Sequence, residues 1–122
     1  MERWANNYFK IYRRKPGIYI LTATDELIGF YAFKPKNQKV VILDFMFIEP
    51  VYIGKGYGKI LMNDFFQRVK KMEFEKIILD ADPNAERFYE RNGFKVTGKL
   101  KSSIKDRFLP IMEMKIKPDP NL

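Results

Sequence analysis

Hydrophobic and polar positions change period three times along the chain. "IYILTAT" (18–24) alternates as a half-buried strand, and "LIGFYAFK" (27–34) alternates again after a tight turn expected at Asp25-Glu26. "KPKNQK" is a second turn, and "VVILDFMFIEP" (40–50) is a nearly continuous apolar run, as a central strand would be. These make an antiparallel meander. The spacing then lengthens: Tyr57, Leu61, Phe65 and Val69 fall four apart, which predicts an amphipathic helix from about Gly56 to Met72. "KIILDA" (76–81) is a short buried strand, so strand, helix and strand form a crossover with a locally parallel pair. Asp82 and Pro83 suit a helix start, and Gly93 suits the position just past its end. "FKVTG" and "RFLPIMEMKI" close the chain as a hairpin, with Pro110 expected at a bulge or edge. The region up to Tyr12 is expected as a helix with Trp4, Tyr8, Ile11 and Tyr12 on one face. The fold class is therefore α+β: a mixed sheet with helices on both faces, in a single domain over residues 1–122.

Composition narrows the chemistry. The chain has no Cys and no His, which removes thiol acyl-enzymes, His-based triads and most zinc sites, so no metal is expected. Any reaction must use Asp, Glu, Tyr, Lys, Ser, Thr or the backbone. No stretch approaches the roughly 20 apolar residues of a membrane span, and the N-terminus lacks an apolar signal core. A cytoplasmic setting with no membrane role is the simplest reading. A net charge of +8 favours an anionic partner, but the basic residues are dispersed rather than gathered in a nucleic-acid-binding tail.

The change of period at "IEPVYIGKGYGKILM" carries the candidate chemistry. Gly54, Gly56 and Gly58 stand on alternate positions where a strand feeds a helix. A helix start offers unpaired N–H groups and a partial positive charge, and glycine lets a phosphate reach them. Lys55 and Lys59 add charge beside them. A plain glycine-rich turn is the bland alternative. Two phosphate motifs fail: Gly58-Lys59 is followed by Ile60 where a Walker A loop needs Ser or Thr, and Lys59 stands where a Rossmann fingerprint needs its third Gly.

"FIEPVYIGKGYGKILM" followed by "PNAERFYERNGF" resembles the GNAT superfamily of acetyl-CoA-dependent N-acetyltransferases, in the family's order of elements from about Val40 to Ile116. The resemblance implies a diphosphate loop over Ile53, Gly54, Lys55, Gly56, Tyr57 and Gly58, extended by Lys59. Gly56 and Gly58 match the family pattern; Ile53 stands where Gln or Arg is usual. It implies that backbone at Phe47 and Ile48 meets the pantetheine arm and the oxyanion. Asn84 matches the Asn that contacts the cofactor arm, and Tyr89 the Tyr that protonates the leaving thiolate. Acetyl-CoA is the implied co-substrate. The implied reaction is direct transfer, in a ternary complex, to a primary amine of a small molecule or peptide.

For the base, alternation places Ile42, Asp44, Met46 and Ile48 on one face. Asp44 is the candidate, acting through a water, with a structural role as the equal alternative. The family's Glu position falls on Ile42. Acceptor contacts are expected from the N-terminal region and from "KLKSSIKDRFLP". Because the N-terminal region is short for the family, its first strand is expected to be missing or supplied differently, and the acceptor cleft to be open or covered by a second subunit, as in a homodimer. Two other classes compete: a degenerate acetyl-CoA-binding module, for which Ile53 argues, and a basic nucleic-acid-binding domain, against which the core-like spacing of Phe65, Phe66, Phe88 and Phe94 argues.

Overall fold

The computed structural model describes residues 3–4, 9–103 and 107–117. Tyr8, named above in the N-terminal pattern, and residues 104–106 of the expected acceptor loop lie outside them. The chain gathers into two compact units: residues 1–34 with 43–68, and residues 35–42 with 69–122.

The first unit is built on antiparallel strands β1 (Arg3–Trp4), β2 (Phe9–Lys15), β3 (Ile18–Ala23) and β4 (Glu26–Pro35, to Lys34 in this unit). The expected N-terminal helix is corrected to strand: β2 pairs with β3 so that Ile11 faces Leu21, and both are fully buried. The first strand, expected to be missing or supplied differently, is formed by this segment. Pro16 and Gly17 make the turn between β2 and β3. Gly17 has φ +80, the left-handed conformation of the third residue of a type II turn. The next turn falls at Thr24-Asp25, one residue earlier than expected. Both residues have positive φ, 47 and 64, as a type I′ hairpin demands.

Beyond β4 this unit holds residues 43–48 of β5 (Val40–Ile48), a 3₁₀ turn at Pro50–Tyr52 and residues 57–68 of α1 (Tyr57–Lys71). Helix α1 buries Leu61, Met62 and Phe65. The Phe65 ring lies 5.4 Å from both Tyr31 and Phe33, and Tyr19 stacks on Tyr31 at 5.4 Å. Into this apolar layer the helix sends one carboxylate. Asp64, 1% exposed, accepts bonds from Tyr31 Oη at 2.6 Å and Arg68 Nε at 2.7 Å, and the Arg68 guanidinium lies 3.9 Å from the Tyr19 ring centroid. A buried charge persists when it is paired and hydrogen-bonded, as here.

The second unit holds residues 40–42 of β5, β6 (Lys76–Asp80), a 3₁₀ turn at Pro83–Ala85, α2 (Glu86–Arg91), β7 (Lys95–Lys101) and β8 (Phe108–Lys115). Val40–Ile42 pairs in parallel with Lys76–Ile78, while β8 runs antiparallel to both β6 and β7. Parallel and antiparallel ladders together make the sheet mixed and the class α+β, as the sequence pattern implies. Pro110, expected at a bulge or edge, lies in β8 between two partners. It pairs with Lys99 just beyond a register shift between Val96 and Gly98, and its carbonyl accepts from Ala81 N–H at 2.8 Å.

Candidate functional site

Strand β5 does not alternate regularly. Phe45 and Phe47 contact the ring of Phe30, and Asp44 pairs with Lys34 Nζ at 3.7 Å. Phe30 and Lys34 are four apart on β4 and share a face. Asp44 and Phe45 are consecutive and both exposed, and they share that face too, which is the mark of a bulged strand. The expectation that Asp44, Met46 and Ile48 share one face is corrected: the phase slips by one residue at Asp44–Phe45. On the other side, Gly29 lets β4 and β5 close up. A Cβ there would meet the Phe47 carbonyl oxygen at 2.3 Å and Ile48 Cδ1 at 2.9 Å.

The segment after β5 is pinned from three directions. Glu49 N–H donates to Ile28 O at 2.8 Å, Tyr52 Oη donates to the Glu26 carboxylate, and the Tyr57 ring stands edge-on to Phe9 and Tyr52 at 5.2 and 5.7 Å. The Glu26 bond raises the Tyr52 phenol above its ordinary value. Between these anchors, Gly54 and Gly56 adopt φ +83 and +88, and a Cβ on either would meet nothing within 4 Å. The glycines answer a left-handed backbone rather than a close neighbour in this chain. Gly58 is the second residue of α1.

The first helical bond runs from Ile60 N–H to Gly56 O at 3.4 Å. Among the described residues, none accepts a bond from the N–H groups of Gly54, Lys55, Gly56, Tyr57, Gly58 or Lys59. The helix start is thus a row of unsatisfied donors at the positive end of a 15-residue helix, with Lys55 and Lys59 exposed beside it. Such a row fits a phosphate or diphosphate. Ile53 is 66% exposed in extended conformation and contributes no side-chain hydrogen bond.

In the second unit, Asp82 Oδ1 accepts from Asn84 N–H at 2.8 Å, so Asp82 caps a 3₁₀ turn that leads into α2 rather than the helix itself. Asn84 is exposed. Tyr89 is set by the end of α2. Phe94 N–H donates to Tyr89 O at 3.0 Å and Gly93 N–H to Glu90 O at 3.1 Å, with Gly93 at φ +99; this is the Schellman arrangement. The Phe94 ring completes it, 5.7 Å from Tyr89. Tyr89 is 7% exposed, and its hydroxyl makes no hydrogen bond to any described residue. Burial, and then the charge of Asp82, push its phenol above the ordinary value, so it holds its proton at neutral pH.

The first unit therefore gathers Asp44, Phe47, Ile48 and the residues from Ile53 to Lys59 along one continuous segment, and the second gathers Asn84 and Tyr89. Sequence reasoning missed Tyr52, Glu26 and Phe9, which hold the loop. The five-residue spacing of Tyr52 and Tyr57 around the glycines was the available signal. A hollow of about 530 Å³ in the second unit, lined by Lys39, Val40, Lys76, Lys115 and Ile116 among others, contains none of the expected residues. Among the described residues, no three His, Cys, Asp or Glu side chains cluster as a metal site would require. No described helix is long and apolar enough to cross a membrane.

Comparison with known proteins gives a consistent picture. A family model described as an acetyltransferase (GNAT) domain matches residues 6–118. The N-acetyltransferase ycf52 of Pyropia yezoensis, named as uncharacterized, is 29% identical over 72 residues, taking in 59% of this chain and 41% of that protein. A GNAT family acetyltransferase from Elizabethkingia anophelis, solved with acetyl-CoA bound, superposes with a TM-score of 0.74 at 17% identity, over 81% of this chain and 75% of that one. The PaiA N-acetyltransferase of Thermoplasma acidophilum, solved in complex with coenzyme A, gives 0.70 at 27% identity over 81% and 60%.

Proposed function

Since the chain belongs to the GNAT acetyltransferase family, we propose that it moves an acetyl group from acetyl-CoA directly to a primary amine of a small molecule or peptide. The observation that carries this reading is the row of N–H groups from Gly54 to Lys59, opened by two left-handed glycines at the start of α1. Residues 1–122 act as one domain in this proposal; the family match runs through both compact units.

Acetyl-CoA supplies the activated acyl group as a thioester. The chain's own groups do the rest. The loop amides, with Lys55 and Lys59, grip the diphosphate. Backbone at Phe47 or Ile48 binds the pantetheine arm and steadies the oxyanion of the tetrahedral intermediate. Asn84 holds the cofactor arm from the second unit. Tyr89 donates its proton to the departing thiolate, a task its burial suits because the phenol stays protonated while amines of ordinary basicity release theirs. Asp44 is exposed enough to take the amine's proton through a water. A cytoplasmic setting, where acetyl-CoA is available, belongs to the same proposal.

Ile53 favours a second reading, a domain that binds acetyl-CoA without turnover, because it puts an exposed apolar side chain where the family usually has Gln or Arg. Release of free CoA thiol from acetyl-CoA, followed with and without a mixture of primary amines, separates the two. Amine-dependent release is expected. Binding of acetyl-CoA without release would leave only the sensor, and no binding at millimolar acetyl-CoA would remove both.

A further inference from the structure

An antiparallel sheet that buries one face normally turns a polar face to water. The first unit does not. Opposite the buried layer of Tyr19, Tyr31, Phe33 and Phe65, the cross-strand pairs Tyr12–Ile20 and Ile20–Phe30 continue through ring contacts from Phe30 to Phe47 at 5.3 Å and to Phe45 at 5.7 Å. Phe45 is 50% exposed and Phe47 39%, and Tyr12, Ile20 and Phe30 are half-buried. Contiguous apolar surface of this kind marks a binding face more often than idle surface.

The slip at Asp44–Phe45 adds a charge to it. It brings the Asp44 carboxylate onto the same face as the rings. In a chain of net charge +8, the one partner of that carboxylate among the described residues is Lys34, at 3.7 Å, whose side chain is 63% exposed. Lys34 shows the mode of recognition: an ammonium reaches Asp44 across the rim of the aromatic face. Rings that attract cations on their faces, beside a carboxylate, complement an ammonium carried on an apolar body.

We propose that the face formed by Phe30, Phe45, Phe47 and Asp44 binds the acceptor, and that the acceptor is a primary amine on an aromatic or otherwise apolar body. The inference rests on the transferase reading above and names its substrate class. The rings take the apolar body, and Asp44 takes the ammonium from the competing Lys34. The face lies on the strand that leads directly into the diphosphate loop. Once the ammonium has given its proton through a water to Asp44, which releases it to solvent, the neutral nitrogen adds to the thioester carbonyl. The C–N bond forms and the C–S bond breaks. The nitrogen loses its remaining extra proton to water, the thiolate takes one from Tyr89, and Tyr89 recovers its proton from water, giving the N-acetyl amine, free CoA and one net proton.

The test uses the full chain and two probes, 2-phenylethylamine and ethanolamine, titrated by NMR without cofactor and then assayed with acetyl-CoA. 2-Phenylethylamine is expected to bind at least tenfold tighter than ethanolamine and to shift the amides of Phe45 and Phe47. Phe45→Ala is expected to lose at least tenfold of that affinity, with acetyl-CoA affinity unchanged within twofold. Phe45→Leu, which keeps an apolar side chain without the ring, should fall between; it also serves if the alanine variant melts early. Asp44→Asn should weaken both amines. Equal affinity for the two amines, or indifference to both Phe45 substitutions, overturns the inference even if acetyl-CoA binds and turns over. Ring-selective binding at this face with no affinity for acetyl-CoA would instead keep the face and remove the transferase reading.

Discussion

Tyr89 is the residue on which the proposed chemistry turns. Its carbonyl is fixed by the helix-end bonds and its ring by Phe94, so Tyr89→Phe removes one oxygen and little else. That variant is expected to lower turnover by roughly a hundredfold, the usual scale of a lost general acid. It should leave acetyl-CoA affinity intact and abolish any fall in rate at high pH that comes from ionising the phenol. Equal turnover for both proteins at every pH would assign the proton to water instead. Asp64 makes the opposite case, a residue whose importance is structural. Removing its carboxylate in Asp64→Ala strands the Tyr31 hydroxyl and the Arg68 guanidinium in an apolar layer, and a cost of about 3–5 kcal/mol is expected in urea denaturation. The sequence shows half of this, since Arg68 follows Asp64 by four residues on the helix, but not the other half, because Tyr31 is 33 residues away.

At the scale of elements, the glycine loop was the most legible part of the chain and the N-terminus the least. The loop is local: glycines, a helix period and a strand period meet within a dozen residues. The N-terminal strand was mistaken for a helix because Trp4, Tyr8, Ile11 and Tyr12 satisfy a helical spacing, whereas the pairing that decides the matter, Ile11 against Leu21, comes from another segment. The slip in β5 was hidden for the same reason, since only contacts with Lys34 and Phe30 reveal it. The loop also yields an element-level expectation. Because a Cβ on Gly56 would touch nothing, Gly56→Ala tests backbone conformation alone. Holding alanine at φ +88 costs about 1–2 kcal/mol. A relaxed loop would turn its amides away, so CoA affinity, measured by calorimetry, is expected to fall about tenfold or more.

For the whole molecule, two buried phenols set a pH dependence. Burial, and then Asp64, raise Tyr31 far above its ordinary value of 10.0; burial, and then Asp82, raise Tyr89. A raised phenol contributes fully while both states keep the proton. Above about pH 10 the unfolded chain ionises while the native one cannot follow, so stability falls as pH rises. Each phenol steepens that loss by up to about 1.4 kcal/mol per pH unit. Urea midpoints measured from pH 8 to 11 should decline more steeply for wild type than for Tyr31→Phe. Parallel curves would show that Tyr31 ionises as freely in the native protein as in the unfolded one.

The extra residue in β5 makes that strand tolerant of one particular change in length. Taking out one amino acid at position 44 would restore strict alternation. Both halves of the strand would keep the faces they have, Val41 and Leu43 inward and Phe45 and Phe47 outward, and only the Asp44 carboxylate would be lost from the outer face. A three-nucleotide deletion there would spare the buried side chains, and its cost would fall on the Asp44–Lys34 pair.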